Sequence, residues 1–284
     1  MIQELKMYED NPMAMAMQKW QRFYYGDNSY GRPIIGTIDN INSFSPEKLF
    51  EHKADLYTKD NLLISIAGKL ENEEAICEQI GILFKDLPSQ KRISKPVFPS
   101  YIPSEKVGTF EQKNEQTHLV ISCPGFDGNS EKKYAANVLA TLLGGNMSSR
   151  LFQRIREKEG LCYYIKGVHG ANQDSGVFLI RAGIDKARFD YGVKRIFEEL
   201  NNIASGDLSQ EEFDNAIGYT KGQIQMGIES SDEMASFLGS QELLYGKIET
   251  LEEVVKKYEK LTLADIQELA GMLSEDKCYL FYIK

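Results

Sequence analysis

Leu142-Leu-Gly-Gly-Asn-Met-Ser-Ser-Arg-Leu-Phe-Gln-Arg-Ile-Arg-Glu-Lys-Glu-Gly-Leu-Cys-Tyr163 is the stretch that organises the chain. Residues 147–158 read as a helix. Gly160 stands where a left-handed C-cap belongs, and a strand starts at Leu161. Upstream, Gly144-Gly145-Asn146 reads as a tight turn between two helices, with Asn146 or Ser148 capping the second. Glycine there also suits a close backbone approach that a side chain would obstruct. A glycine-rich loop entering a helix can cradle phosphate. This one lacks the Gly-Lys-Ser/Thr ending of a P-loop and does not match GxGxxG.

Arg156 falls in the last turn of the helix and Tyr163 at the start of the strand. A short turn can bring both to one end of a sheet, where a guanidinium beside a phenol makes a pair of donors for a polarised carbonyl oxygen. The plainer alternative is that Arg156 pairs with Glu157, Glu159 or another carboxylate and that Tyr163 is core.

Working outward, strands are expected near 108–112, 117–123, 161–168, 176–184 and 277–283. Helices are expected near 130–143, 147–158, 187–204, 209–226, 230–245, 251–259 and 262–273. Ser209-Gln-Glu-Glu212 and Thr262-Leu-Ala-Asp265 look like capped first turns. Hairpin-joined strands followed by runs of helices predict an α+β domain over 107–284, an antiparallel sheet with helices on one face. Residues 88–106 hold Pro88, Pro96, Pro99 and Pro103 and read as a linker. Residues 1–87 form a separate unit. It has an amphipathic helix over 2–9 with no cap before it and a helix over 13–25 whose Met13, Met15 and Met17 read as core filler. A helix opened by Ser45-Pro46, a buried strand Asn61–Ala67 ended by Gly68, and a helix Glu71–Lys85 complete the unit.

Composition removes several function classes. The formal net charge of −9 over 284 residues argues against a general nucleic-acid binder. Cys77, Cys123, Cys162 and Cys278 form no CxxC pair and read as reduced thiols of a cytoplasmic protein. No apolar run is long enough to cross a membrane. The three histidines, His52, His118 and His169, include no pair at helical spacing, and no local motif supplies three zinc ligands. No GxSxG elbow is present.

Residues 142–163 resemble the second-domain signature of the insulinase / mitochondrial processing peptidase family, the inverted-motif HxxEH zinc metallopeptidases. Tyr30-Gly-Arg-Pro-Ile-Ile-Gly-Thr37 and Asn61-Leu-Leu-Ile-Ser-Ile-Ala-Gly68 look like the tail of that family's first domain. Ile2-Gln-Glu-Leu-Lys-Met-Tyr-Glu-Asp-Asn-Pro12 resembles the helix that carries its third zinc ligand. The resemblance implies two similar α+β domains per subunit, with two subunits or linked halves closing around an unfolded peptide. It makes 1–87 the C-terminal part of a first domain, 88–106 the linker and 107–284 the second domain. Arg156 and Tyr163 become the pair that orients substrate and stabilises the oxyanion. Glu4 becomes the distal zinc-binding glutamate.

One departure matters: the sequence contains no His-x-x-Glu-His. Glu4 is then an orphan ligand, and zinc, although the family's cofactor, is not expected to be bound by this chain alone. Two functions follow as expectations. In one the chain is part of a zinc endopeptidase that hydrolyses unstructured peptides, supplies Arg156 and Tyr163, and is inactive alone. In the other it is a non-catalytic partner that binds peptide and completes the chamber of an active subunit, as a homo- or heterodimer. Neither involves nucleic acid or a membrane.

Overall fold

The computed structural model describes residues 1–90, 94–98 and 103–284, so Pro99 and part of the expected linker lie outside the described residues. The elements are α1 (Ile2–Glu9), α2 (Pro12–Tyr25), α3 (Ile38–Ser43), α4 (Pro46–Leu56) and α5 (Glu73–Leu83). They continue with β1 (Val107–Phe110), β2 (Gln116–Pro124), α6 (Lys132–Gly144) and a π-helix (Phe152–Lys158). Then come β3 (Cys162–Ala171), β4 (Gly176–Asp185), α7 (Phe189–Ala204), α8 (Gln210–Met226), α9 (Ser231–Tyr245), α10 (Leu251–Glu259), α11 (Leu263–Met272) and β5 (Tyr279–Ile283).

The α+β expectation holds, and all five strands expected over 107–284 join one sheet in the order β1-β5-β2-β4-β3. The sheet is mixed rather than wholly antiparallel. The last strand, β5, inserts between β1 and β2 and runs parallel to β1 and antiparallel to β2. No local pattern encodes that, because β5 meets its neighbours only after the intervening helices have packed.

The helices of the second half cover one face. Alternation along the strands sends Leu119, Ile121, Ile180, Ala182 and Ile184 against Leu139, Leu143, Leu151, Ile196, Leu200 and Ile266, all nearly inaccessible to water. Each such leucine or isoleucine contributes about 1.5–3 kcal/mol of burial. The other face is not left bare. α2, capped by Asn11 with Pro12 in its first turn, lays Met15, Trp20 and Tyr24 against Val120, Leu179, Phe281 and Ile283. Helices on one face therefore describes the second half alone; the N-terminal unit supplies a layer for the opposite face.

Two further expectations need correction. The run after Asn61 is not a buried strand. Leu62 has extended backbone angles, but residues 62–66 join no sheet, and Leu62, Leu63, Ile64 and Ile66 are 37–47% exposed. Its anchor is a hydrogen bond from Ser65 Oγ to the Ala235 carbonyl on α9, 2.7 Å. An apolar extended run becomes a strand only where a neighbour offers ladder partners, and among the described residues none does. The cysteines are also not all reduced. Cys123 and Cys278 face each other where β2 meets β5 and form a disulfide, with Cα atoms 4.3 Å apart, while Cys77 and Cys162 are free. A sequence separation of 155 hides that pairing.

Candidate functional site

The turn that opens the decisive segment is built as its residues suggest. Asn146 Oδ1 accepts the Ser148 N–H at 2.8 Å, and Ser149 Oγ donates to the Asn146 carbonyl at 2.6 Å. A Cβ on Gly144 would lie 2.2 Å from the Gly167 nitrogen, so glycine is what allows the end of α6 to rest on the backbone of β3. The cleft beside this turn, about 510 Å³, is lined by Asn146, Ser148, Arg150, Glu212, Asn215 and Tyr219 and excludes both Arg156 and Tyr163.

The helix that follows is clamped at both ends. Arg150, 4% exposed, forks onto Glu212 with two contacts of 2.8 Å and reaches Asp207 at 3.3 Å. Burial pushes the Glu212 carboxyl up, but the Arg150 hydrogen bonds and charge and the Ser209 contacts outweigh it and hold it near 2. One turn on, Arg154 meets the buried Glu199 at 2.8 Å. At the far end Arg195 binds Glu159 at 2.8 and 2.9 Å, and the Tyr191 hydroxyl adds a contact at 3.2 Å. The sequence marks Arg150 and Arg154 at helical spacing, but their acidic partners are 45 and 62 positions away and show no sign locally.

Between these clamps the backbone departs from an ordinary helix. Residues Phe152–Lys158 form a π-helix, which carries Arg156. Such widened turns recur at functional sites. Glu159, the expected alternative partner for Arg156, is engaged by Arg195. The Arg156 guanidinium lies instead over the Phe152 ring, 4.4 Å from its centroid, and among the described residues it has no carboxylate partner. Gly160 adopts the expected left-handed conformation, φ 56°. The strand then begins irregularly. Cys162 pairs with Ile184 and Tyr164 with Gly183, so Tyr163 is the extra residue of a β-bulge. Bulges re-aim a side chain, and Tyr163 is 70% exposed, which removes its core alternative. The Arg156 charge is felt at Cys162, the residue before Tyr163, where burial nevertheless pushes the thiol up to about 11. Arg156 and Tyr163 thus come to the same end of β3.

The remaining expected groups stay apart. Glu4 is exposed on α1, and among the described residues no three His, Cys, Asp or Glu side chains converge as a metal ion would need. A lone exposed carboxylate does not fit zinc, which needs three or four ligands. His52 is exposed on α4. His118 meets the Tyr164 hydroxyl at 3.0 Å. His169 accepts the Phe126 N–H at 3.1 Å and contacts Asn137 at 2.9 Å. Among the described residues no helix is long and apolar enough to cross a membrane.

The five-stranded α+β fold has counterparts among known proteins. Residues 43–218 match the family described as the peptidase M16 inactive domain, and the chain belongs to that family. It is 31% identical over 274 residues to the uncharacterized zinc protease YmxG of Bacillus subtilis, covering 95% of this chain and 65% of that protein. An uncharacterized zinc protease of Streptomyces coelicolor is 27% identical, with 95% and 60% covered. The chain therefore spans less than two thirds of the length of these relatives. A protease from Helicobacter pylori has the same fold, with a TM-score of 0.86 at 18% identity over 98% of this chain and 68% of that one. So does a peptidase M16 inactive domain from Pseudomonas fluorescens, with a TM-score of 0.85 at 22% identity over 98% and 66%.

Proposed function

We propose that this chain is the substrate-orienting part of a zinc-dependent endopeptidase that acts on unstructured peptides, and that it is inactive alone. Residues 1–87 are the C-terminal part of a first metallopeptidase-type domain, 88–106 a linker and 107–284 the second domain. One observation supports this reading above the others. A guanidinium and a phenol stand at one end of an edge strand, with no carboxylate among the described residues to satisfy the first and no core to hold the second. Internal ion pairs absorb the neighbouring Arg150, Arg154 and Arg195, so Arg156 is free to donate outward. Donors held before substrate arrives cost no reorganisation when negative charge builds on a carbonyl oxygen. Arg156 and Tyr163 would orient a peptide carbonyl in that way.

Zinc belongs to the relatives by their names. The donor set here does not fit it, and Glu4 is proposed only as an orphan ligand position. The zinc site on which Arg156 and Tyr163 would act is proposed to belong to a facing half or partner subunit. The second reading, a non-catalytic partner subunit, draws on Ile34, Phe50 and Leu83, which are 70% or more exposed on the N-terminal unit and offer apolar area for another subunit. A cytoplasmic location is proposed for this acidic chain, and the Cys123–Cys278 disulfide is the observation that opposes it.

The test is reconstitution with an active metallopeptidase subunit. Arg156→Ala should lower kcat/KM by roughly 10²–10³, the usual loss for one oxyanion donor. Unchanged kinetics would remove Arg156 from the mechanism. Stoichiometric zinc on the isolated chain would overturn the assignment of the metal centre elsewhere.

A further inference from the structure

The sheet face beneath α2 is covered unevenly. α2 seals β2, β5 and part of β4 through Val120, Val177, Leu179, Phe281 and Ile283. Toward β3 the same face carries Tyr164, Lys166 and Arg181. Their neighbours Ile165, Ile180 and Ala182 point into the helix-covered core, so alternation turns these three the other way. Lys166 is exposed and Arg181 half-buried.

Lys166 and Arg181 sit directly opposite each other in the β3–β4 register. Like charges in that position destabilise a sheet. A fold normally relieves such a pair with a carboxylate, yet among the described residues neither side chain has an ion pair or a hydrogen bond. Beside them Tyr164 reaches over Gly183 to His118, its hydroxyl 3.0 Å from Nδ1. A Cβ at Gly183 would come 2.6 Å from the Tyr164 ring, so glycine keeps that platform flat. Burial holds His118 below its ordinary range and favours its neutral ring, so the platform adds no further positive charge.

β3 is also the last strand of the sheet, bonded among the described residues only to β4. An extended peptide can add along such an edge, with every second side chain rising on the Lys166–Arg181 face. Tyr163 and Arg156 stand at the start of the same strand.

We propose that Lys166 and Arg181 form a carboxylate-binding subsite that selects extended peptides with an acidic side chain at one position along β3. This rests on the peptide-binding reading above and adds the substrate class to it. The chain's net charge of −9 repels acidic peptides at long range, so a preference for them has to come from a local contact such as this one.

The test is fluorescence anisotropy of the full chain with three labelled, unstructured peptides that differ only in a central Glu, Gln or Lys. The Glu peptide should bind about tenfold tighter than the Gln peptide, as expected for a charged hydrogen-bonded contact, and the Lys peptide weakest. Lys166→Gln and Arg181→Gln should each bring the Glu peptide close to the Gln peptide, and the double variant K166E/R181E should prefer the Lys peptide. Lys166→Gln should also raise Tm, by about 1–3 °C, because it relieves the cross-strand repulsion. Equal binding of the three peptides would overturn the subsite and leave the peptide-binding reading standing. So would a Glu preference that survives both single variants. Binding of none would remove the peptide-binding reading and the subsite with it. A lower Tm in Lys166→Gln would reveal an internal partner and overturn the premise.

Discussion

His169 shows how a single side chain couples local chemistry to stability. Its Nε2 accepts the Phe126 N–H, its Nδ1 donates to Asn137 Oδ1, and Asn137 Nδ2 donates to the Tyr258 hydroxyl at 2.9 Å. The neutral ring with its proton on Nδ1 satisfies both contacts. Burial lowers its pKa from 6.5 to about 4. Because the folded value lies below the unfolded one, the stabilisation is complete above about pH 6.5 and is lost as pH falls toward about 4. Urea titrations at pH 7.5 and 5 should show the native chain losing about 2 kcal/mol more than His169→Gln across that interval. An equal loss in both would mean that His169 is not buried neutral. The sequence places His169 at the end of a strand, but it gives no hint of Asn137, which lies 32 positions earlier and arrives from α6.

At the scale of elements, the segment from Ser149 to Glu159 is held by charge rather than by apolar contact alone. Arg150 and Glu212 are worth more together than apart. Removing Arg150 leaves Glu212, which is about a third exposed, without its partner, so Arg150→Ala should cost about 1.5–3 kcal/mol in chemical denaturation. Replacing both by apolar residues of similar size, Arg150→Met with Glu212→Leu, should recover part of that loss, the remainder being the Ser209–Glu212 cap that opens α8. If the double variant is as unstable as the single, the pair is not the coupled unit described. The helix, its Gly160 cap and the strand after it were all legible, because caps and periodicity are local. The widening to a π-helix at Arg156 and the bulge at Tyr163 were not. Both arise where the clamped helix has to join a strand already registered against β4. The run 62–66 shows the converse. Its apolar composition and extended backbone were legible, but strandedness belongs to a pair of segments, and this one has no ladder partner among the described residues.

Across the whole molecule, the question is whether the N-terminal unit and the sheet form one folding unit. The sequence suggested two units joined by a proline-rich linker. In the structure α2 packs directly on β2 and β5, with Trp20 3% exposed among Tyr24, Tyr25 and the sheet. That contact is non-local, and only the apolar face of α2 announces it. Among the described residues Trp20 Nε1 has no hydrogen-bond partner, so packing holds the indole there. Trp20→Ala should therefore cost about 3–5 kcal/mol, whereas Trp20→Phe, which keeps a ring and deletes the unpaired donor, should cost less. Trp20 is the only tryptophan in the chain, so its fluorescence reports on this seam alone. If the seam joins the units, urea unfolding followed by tryptophan fluorescence and by far-ultraviolet circular dichroism should give one coincident transition in the native chain. A fluorescence transition at lower urea than the dichroism change would show that α2 detaches while the sheet stays folded, and the two units would then be separable.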